Sequence, residues 1–165
     1  MHKIMNKVYD MDFLEKQGFN IKYIIDIKQY ETVEECEDGF QDLLSQVIEN
    51  IRRKFVKTES KDILLLYIDI AFALVNSGDI KMTKVMNYYD EKLSIHIDNI
   101  LNMNDNFILE SEVNPLFFKD VPPELTSSFI DMWKNGTFND NDKVNIWLFI
   151  INMLILLVKW KELQK

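Results

Sequence analysis

The sequence predicts an all-α fold, a single-domain bundle of about six or seven helices that covers residues 1–165. Apolar residues recur at helical spacing in most long windows of the chain. Four glycines and three prolines are too few for the turns of a many-stranded β fold. A length of 165 residues, of which 47% are hydrophobic, matches one globular domain.

The first third of the chain contains two short segments and the clearest helix. Residues 11–17 are predicted to be helical. Residues 20–30 fit a helix or a strand, and we favour a helix because no pairing strand is evident. A long helix is predicted over residues 32–57, where Thr32 and Glu35 form the pattern of a capping box. Acids in its first turns and bases in its last turn complement the helix dipole.

Two helices are predicted in the middle of the chain. The first covers residues 60–75, with Ser60 as its N-cap and Gly78 just beyond its end. Because it is apolar on nearly all sides, we expect it at the centre of the bundle. Residues 79–102 then have the pattern of an amphipathic helix with one solvent-exposed face.

The last third contains a predicted loop and two helices. Helical spacing fails over residues 102–123, which we interpret as a long functional surface loop. A short helix should begin at Pro123 and end before Gly136, and a last helix should cover residues 142–162. Within the latter, residues 146–158 are apolar except for Asn152. A bilayer span needs about 20 apolar residues, so a buried core helix or a helix packed in a dimer is predicted over a membrane anchor.

The sequence has no catalytic, metal-binding or cofactor-binding motif. One cysteine and two histidines do not fill a zinc ligand set, and no histidine follows a glutamate at the spacing of di-metal bundle sites. The dispersed glycines form no nucleotide-binding loop. Cys36 is expected in the core and His96 at the surface or its boundary. We therefore predict a protein without enzyme activity, metal or cofactor, although a catalytic triad assembled from distant residues stays open.

The net charge is −8, from 27 acidic against 19 basic residues. This balance opposes nucleic-acid binding, which depends on basic side chains. The first 20 residues lack the apolar stretch of a secretory signal, and a single cysteine fits a reducing compartment. These observations predict a cytoplasmic protein that binds neither nucleic acid nor a membrane.

The most informative feature is a run of acids. Between Lys28 and Arg52 the chain carries seven acidic residues and no base. They could form a solvated face that aids solubility, or a docking surface for a basic protein. The predicted loop adds further acids and the possible aromatic anchors Phe107, Phe117 and Phe118. The predicted partner-binding residues are Glu31, Glu34, Glu35, Glu37, Asp38, Asp42, Asp105, Glu110, Glu112 and Phe117.

In size, charge and composition the chain resembles the immunity proteins of bacterial toxin–immunity systems, including those of contact-dependent growth inhibition. The acids of residues 31–42 and 105–120 carry the resemblance. It implies a small cytoplasmic inhibitor that binds a basic, nuclease-type toxin domain and covers its active site. The oligomeric state is left open.

The alternative is a resemblance to viral B-cell-lymphoma-type regulators, which are helical bundles that bind amphipathic helices in a groove. The apolar last helix carries this second resemblance. The Asn-Trp-Gly-Arg signature of that family is absent, and Trp133-Lys134-Asn135-Gly136 does not match it.

Overall fold

The computed structural model describes residues 8–57, 62–109 and 123–165, and in these ranges it contains helices and no strand. The predicted all-α fold is confirmed. Two 3-10 turns, Ile21–Tyr23 and Ile27–Gln29, lie between the first two helices. The α-helices within the described ranges are α1 (Met11–Lys16), α2 (Val33–Val56), α3 (Asp62–Asn76), α4 (Met82–Ser94), α5 (Ile97–Leu101), α6 (Asn106–Leu109), α7 (Pro123–Lys134) and α8 (Asp140–Leu163).

Side-chain caps fix the start of the two longest helices. At α2 the Thr32 hydroxyl accepts the amide of Glu35 at 3.1 Å, as predicted. The Glu35 carboxylate accepts the Thr32 hydroxyl at 3.2 Å, whereas a full capping box would bind the Thr32 amide. The complete box lies at α8, where Asn139 and Asp142 each accept the other's amide, at 2.9 and 3.0 Å.

Helix α8 forms the centre of the bundle. It packs against α2, α4, α5 and the second 3-10 turn. By length and composition it is the one helix among the described residues that could cross a membrane, yet 72% of its most apolar window is buried inside the protein. The predicted core helix is therefore confirmed. Its buried residues are Ile146, Trp147, Leu148, Ile150, Ile151, Asn152, Met153, Leu154, Ile155, Leu156, Leu157, Val158 and Trp160.

Asn152 explains why an amide interrupts this apolar run. Its side-chain oxygen accepts the amide of Ile25 at 3.0 Å, and its nitrogen donates to the carbonyl of Tyr23 at 3.0 Å. The predicted helix over residues 20–30 is wrong, because this segment forms two 3-10 turns. Asn20 and Asp26 each accept the amide two residues ahead, a local bond that competes with helix formation. Through these two hydrogen bonds Asn152 holds the non-helical segment of residues 20–30 against α8.

Helix α3 lies at the periphery, so the predicted central position is wrong. Only Ile68 and Val75 are buried among its described side chains. It packs principally against α2, and the two helices are antiparallel. The Gln41 amide donates to the Val75 carbonyl at 2.8 Å near one end, and Arg52 pairs with Asp69 at 2.6 Å towards the other. The large apolar side chains that it exposes are Leu66 (57%), Tyr67 (41%), Ile70 (46%) and Leu74 (42%).

Two further predictions need correction between α3 and α7. The helix predicted over residues 79–102 is interrupted at Ile95 and His96, and α4 and α5 divide its buried stripe. The loop predicted over residues 102–123 is also wrong in part, because α6 forms a helical turn within it. Residues 110–122 and the predicted cap Ser60 lie outside the described residues.

Candidate partner-binding surface

The predicted acids of residues 31–42 come together at the N-terminal end of α2. Glu37 is half-buried and the others are exposed. Helix spacing of three and four places Glu35, Asp38 and Asp42 on one side of α2. We use the name acidic face for the set Glu31, Glu34, Glu35, Glu37, Asp38 and Asp42.

The two ends of α2 differ in how their charges are compensated. At the C-terminal end Arg52 pairs with Asp69 and Lys54 with Asp142, each at 2.6 Å. The second pair is largely shielded from solvent, since its side chains are 24% and 23% exposed. Within residues 8–57, 62–109 and 123–165, by contrast, no acid of the acidic face lies in an ion pair. Among the described residues, the negative charge of the acidic face therefore has no cationic partner.

Of the other acids and aromatic residues predicted for the site, the structure describes Asp105 and Phe107. Asp105 is exposed just before α6, a turn that packs against α5. Phe107 is buried, with its ring 4.9 Å from that of His96 and 6.0 Å from that of Trp147, so it is no exposed anchor. Glu110, Glu112, Phe117 and Phe118 lie outside the described residues.

A groove of about 480 Å³ lies beside the acidic face, between the 3-10 segment, α2 and α8. Asp42 belongs to both surfaces. Aromatic rings and amides form much of the rest of its wall, and no lysine or arginine is among its lining residues. The groove therefore combines flat apolar rings with one carboxylate and several hydrogen-bonding groups. The side chains that characterise it are Tyr23, Tyr30, Asp42, Gln46, Asn145 and Phe149.

Gly39 allows the Tyr30 ring to pack on α2. A Cβ atom at position 39 would lie 2.6 Å from Cε1 of Tyr30, a distance that no packed structure tolerates. This close approach explains a glycine inside a helix, where it is less favourable than alanine by about 1 kcal/mol. Burial, and after it the charge of Asp42, raises the pKa of the Tyr30 phenol. Tyr30 consequently keeps its proton at neutral pH and can donate a hydrogen bond.

Sequence reasoning missed both groove tyrosines. Tyr23 is 61% exposed at the end of a 3-10 turn, and Tyr30 directly precedes the acidic run. The only signal that could have found Tyr30 is Gly39, since an interior helix glycine often marks a close packing partner. Tyr23 carries no such signal. Its carbonyl accepts a hydrogen bond from Asn152, which is distant in the sequence.

The potentially reactive side chains Cys36 and His96 lie in structural settings. Among the described residues no three His, Cys, Asp or Glu side chains group as metal ligands. Cys36 is fully buried, as predicted, and burial raises the pKa of its thiol to about 11. The thiol is protonated at neutral pH and is a poor nucleophile. His96 is half-buried, as expected of a boundary histidine, and burial followed by the charge of Lys92 lowers its pKa.

Comparisons with known proteins add no relative. Neither a protein-family profile, nor a curated protein, nor a solved structure matches this chain. No residue role is carried over from another protein, so any proposal for the function depends on the charge, exposure and shape of the surface.

Proposed function

We propose that this chain is a protein-binding inhibitor, and specifically an immunity protein that neutralises a basic, nuclease-type toxin by direct contact with the acidic face. The observation that carries the proposal is the charge asymmetry of α2. At its basic end Arg52 and Lys54 pair with Asp69 and Asp142, whereas its acidic end has no cationic partner among the described residues. A basic partner in the cytoplasm would supply the missing compensation.

The fold itself does not require this acidity. Acids in the first turn, such as Glu34 and Glu35, stabilise the helix dipole. Asp38 and Asp42 lie beyond that turn, where the dipole effect has faded. Glu34, Asp38 and Asp42 follow one another at four-residue spacing, and each like-charge pair of this kind destabilises a helix by about 0.2–0.5 kcal/mol. A docking role would explain why these acids are present, because clustered charge accelerates association with an oppositely charged protein.

The groove supplies contacts that charge alone does not provide. Affinity in protein interfaces comes mainly from a few desolvated anchors, and aromatic residues and arginines are enriched among them. A lysine or arginine of the partner that enters the groove would meet the carboxylate of Asp42 and the rings of Tyr23 and Tyr30. The acidic face would then set the rate of association, and the groove would slow dissociation.

The test is an affinity capture at low salt from cells that carry the gene, with three baits. The wild type is compared with Glu34→Gln/Asp38→Asn/Asp42→Asn, which neutralises exposed members of the acidic face. The control is Glu91→Gln/Glu124→Gln/Asp131→Asn, which removes the same charge from exposed acids elsewhere. We expect the wild type and the control to retain one basic protein that the acidic-face variant loses.

Three results would contradict the proposal. Equal loss from both variants would mean that only net charge matters. Retention by all three baits would remove the acidic face from the interface. Capture of an amphipathic helical segment, unaffected by salt, would favour the regulator that binds helices in a groove.

A further inference from the structure

We propose that α3 is the interface of a two-fold symmetric homodimer, in which α3 of one copy packs antiparallel against α3 of a second copy. Four large apolar side chains of α3 are between 41% and 57% exposed. Val56 at the end of α2 and Ile80 beyond α3 are also exposed, at 53% and 38%. Exposed apolar side chains grouped along one helix, as on α3, are typical of an interaction site. The inference does not rest on the toxin partner proposed for the acidic face.

The pattern of side chains identifies the partner as a second copy. A two-fold axis at Ile70 places this residue against its own equivalent. Leu66 then faces Leu74 of the other copy, because both lie four residues from Ile70. The large Tyr67 faces the small exposed Ala73, which lies at the same distance on the other side. The stripe is thus complementary in size to its own reversed copy, as an isologous interface requires.

The charges at the two ends of α2 also favour antiparallel pairing of two α3 helices. Because α2 and α3 are antiparallel, the acidic end of α2 lies near the C-terminus of α3, where Gln41 binds the Val75 carbonyl. The basic end begins at Arg52, which pairs with Asp69 at the middle of α3, and continues towards the N-terminus of α3. Antiparallel pairing of two α3 helices brings the acidic end of each copy to the same end of the dimer as the basic end of the other. It also opposes the two helix dipoles.

In the proposed dimer the α3 face forms the centre of the interface. A helix of 15 residues is about 22 Å long. Standard interfaces bury about 800 Å² per partner, with an apolar centre and a polar rim. The α3 stripe supplies the centre, and α2 supplies rim charges such as Arg53, which is 71% exposed and only loosely paired with Glu49 at 3.9 Å.

Sedimentation equilibrium of the full chain from about 1 to about 100 µM tests the dimer. We expect the wild type to reach twice the chain mass of 19.7 kDa, with weaker association at high salt. Ile70→Asp should remain monomeric, whereas the control Ile95→Asp, at a residue 76% exposed outside α3, should dimerise like the wild type. A wild type that stays monomeric at every concentration would overturn the proposal. So would a monomer that binds phosphatidylcholine vesicles through the same face.

Cysteine cross-linking tests the register without a destabilising charge. Ile70→Cys should form a disulfide-linked dimer under mild oxidation, since the two positions meet at the axis. Leu66→Cys and Leu74→Cys should not link alone, because each lies about 12 Å along the helix from its own equivalent. The double variant Leu66→Cys/Leu74→Cys should link. The native Cys36 is buried and does not compete. Equal linking by every variant, or by none, would exclude this antiparallel interface.

Discussion

Among the helices of ten or more residues that the structure describes, α8 and α3 are the two most apolar, and α8 is central in the bundle whereas α3 is peripheral. Around α8 lie α2, α4, α5 and the second 3-10 turn, and its side chains from Ile150 to Val158 are all buried. Around α3 the principal neighbour is α2 alone. The difference shows that an apolar helix needs neighbours that cover it, but that its composition does not determine which element those neighbours are. For α8 the cover is the rest of the chain, and for α3 we have proposed a second copy.

The largest expected effect is the difference in stability loss between truncating a buried side chain of α8 and truncating an exposed side chain of α3. Ile151→Ala removes a fully buried side chain of α8 and should lower the free energy of unfolding by about 2–5 kcal/mol. Ile70→Ala removes a side chain that is 46% exposed and should lower it by no more than about 0.5 kcal/mol in dilute monomer. Urea denaturation of both variants at low protein concentration gives the comparison. Similar losses would place α3 in the core.

The next largest effect concerns the segment that covers α8. Asn152→Leu removes the amide that bonds Ile25 and Tyr23, and it should destabilise the fold by about 2 kcal/mol. Asn145→Leu makes the same change at an exposed position of the same helix and should be nearly neutral. Hydrogen exchange at the Ile25 amide should accelerate only in the first variant. An unchanged exchange rate there would mean that the segment is held by other contacts.

A smaller effect tests the packing of Tyr30 on Gly39. Gly39→Ala should gain about 1 kcal/mol of helix stability in a Tyr30→Ala background. With Tyr30 present the added methyl group displaces the ring, and the gain should vanish or reverse. A double-mutant cycle of denaturation curves should therefore give a coupling of about 1–2 kcal/mol. Additive effects would show that the ring does not depend on this glycine.

The smallest effect is a pH dependence of the buried thiol. Burial raises the pKa of Cys36 from 9.0 to about 11 in the folded chain, so the unfolded chain ionises first. Stability should fall as pH rises from about 9 towards 11, by about 1 kcal/mol in the first unit. The decline should be shallower in Cys36→Ala. In dilute monomer a thiol reagent should label Ile70→Cys rapidly, because position 70 is 46% exposed, and Cys36 only on unfolding. Fast labelling of Cys36 would contradict its core position.

Local signals in the sequence predicted part of this structure. Thr32 and Glu35 located the start of α2, and the apolar run around Asn152 correctly indicated a core helix. The clustering of the acidic face followed from helix spacing alone. These features depend on residues close together in the chain, so their prediction needed no knowledge of the packing.

Features set by distant contacts could not be predicted in this way. The amide of Ile25 bonds Asn152, which lies 127 residues away, so the turns that replaced the expected helix depend on α8. The position of α3 depends on which neighbours surround it. Phe107 is buried because its ring packs near Trp147, a contact that the local sequence does not contain.

The rate of association with the captured basic protein, measured by stopped flow across a range of salt concentrations, tests the central claim most directly. At low salt we expect the acidic-face variant to associate at least about tenfold more slowly than the wild type. The rates should converge as salt screens the charges, and the control variant should follow the wild type throughout. An association rate that depends on neither salt nor the acidic face would contradict the proposed function.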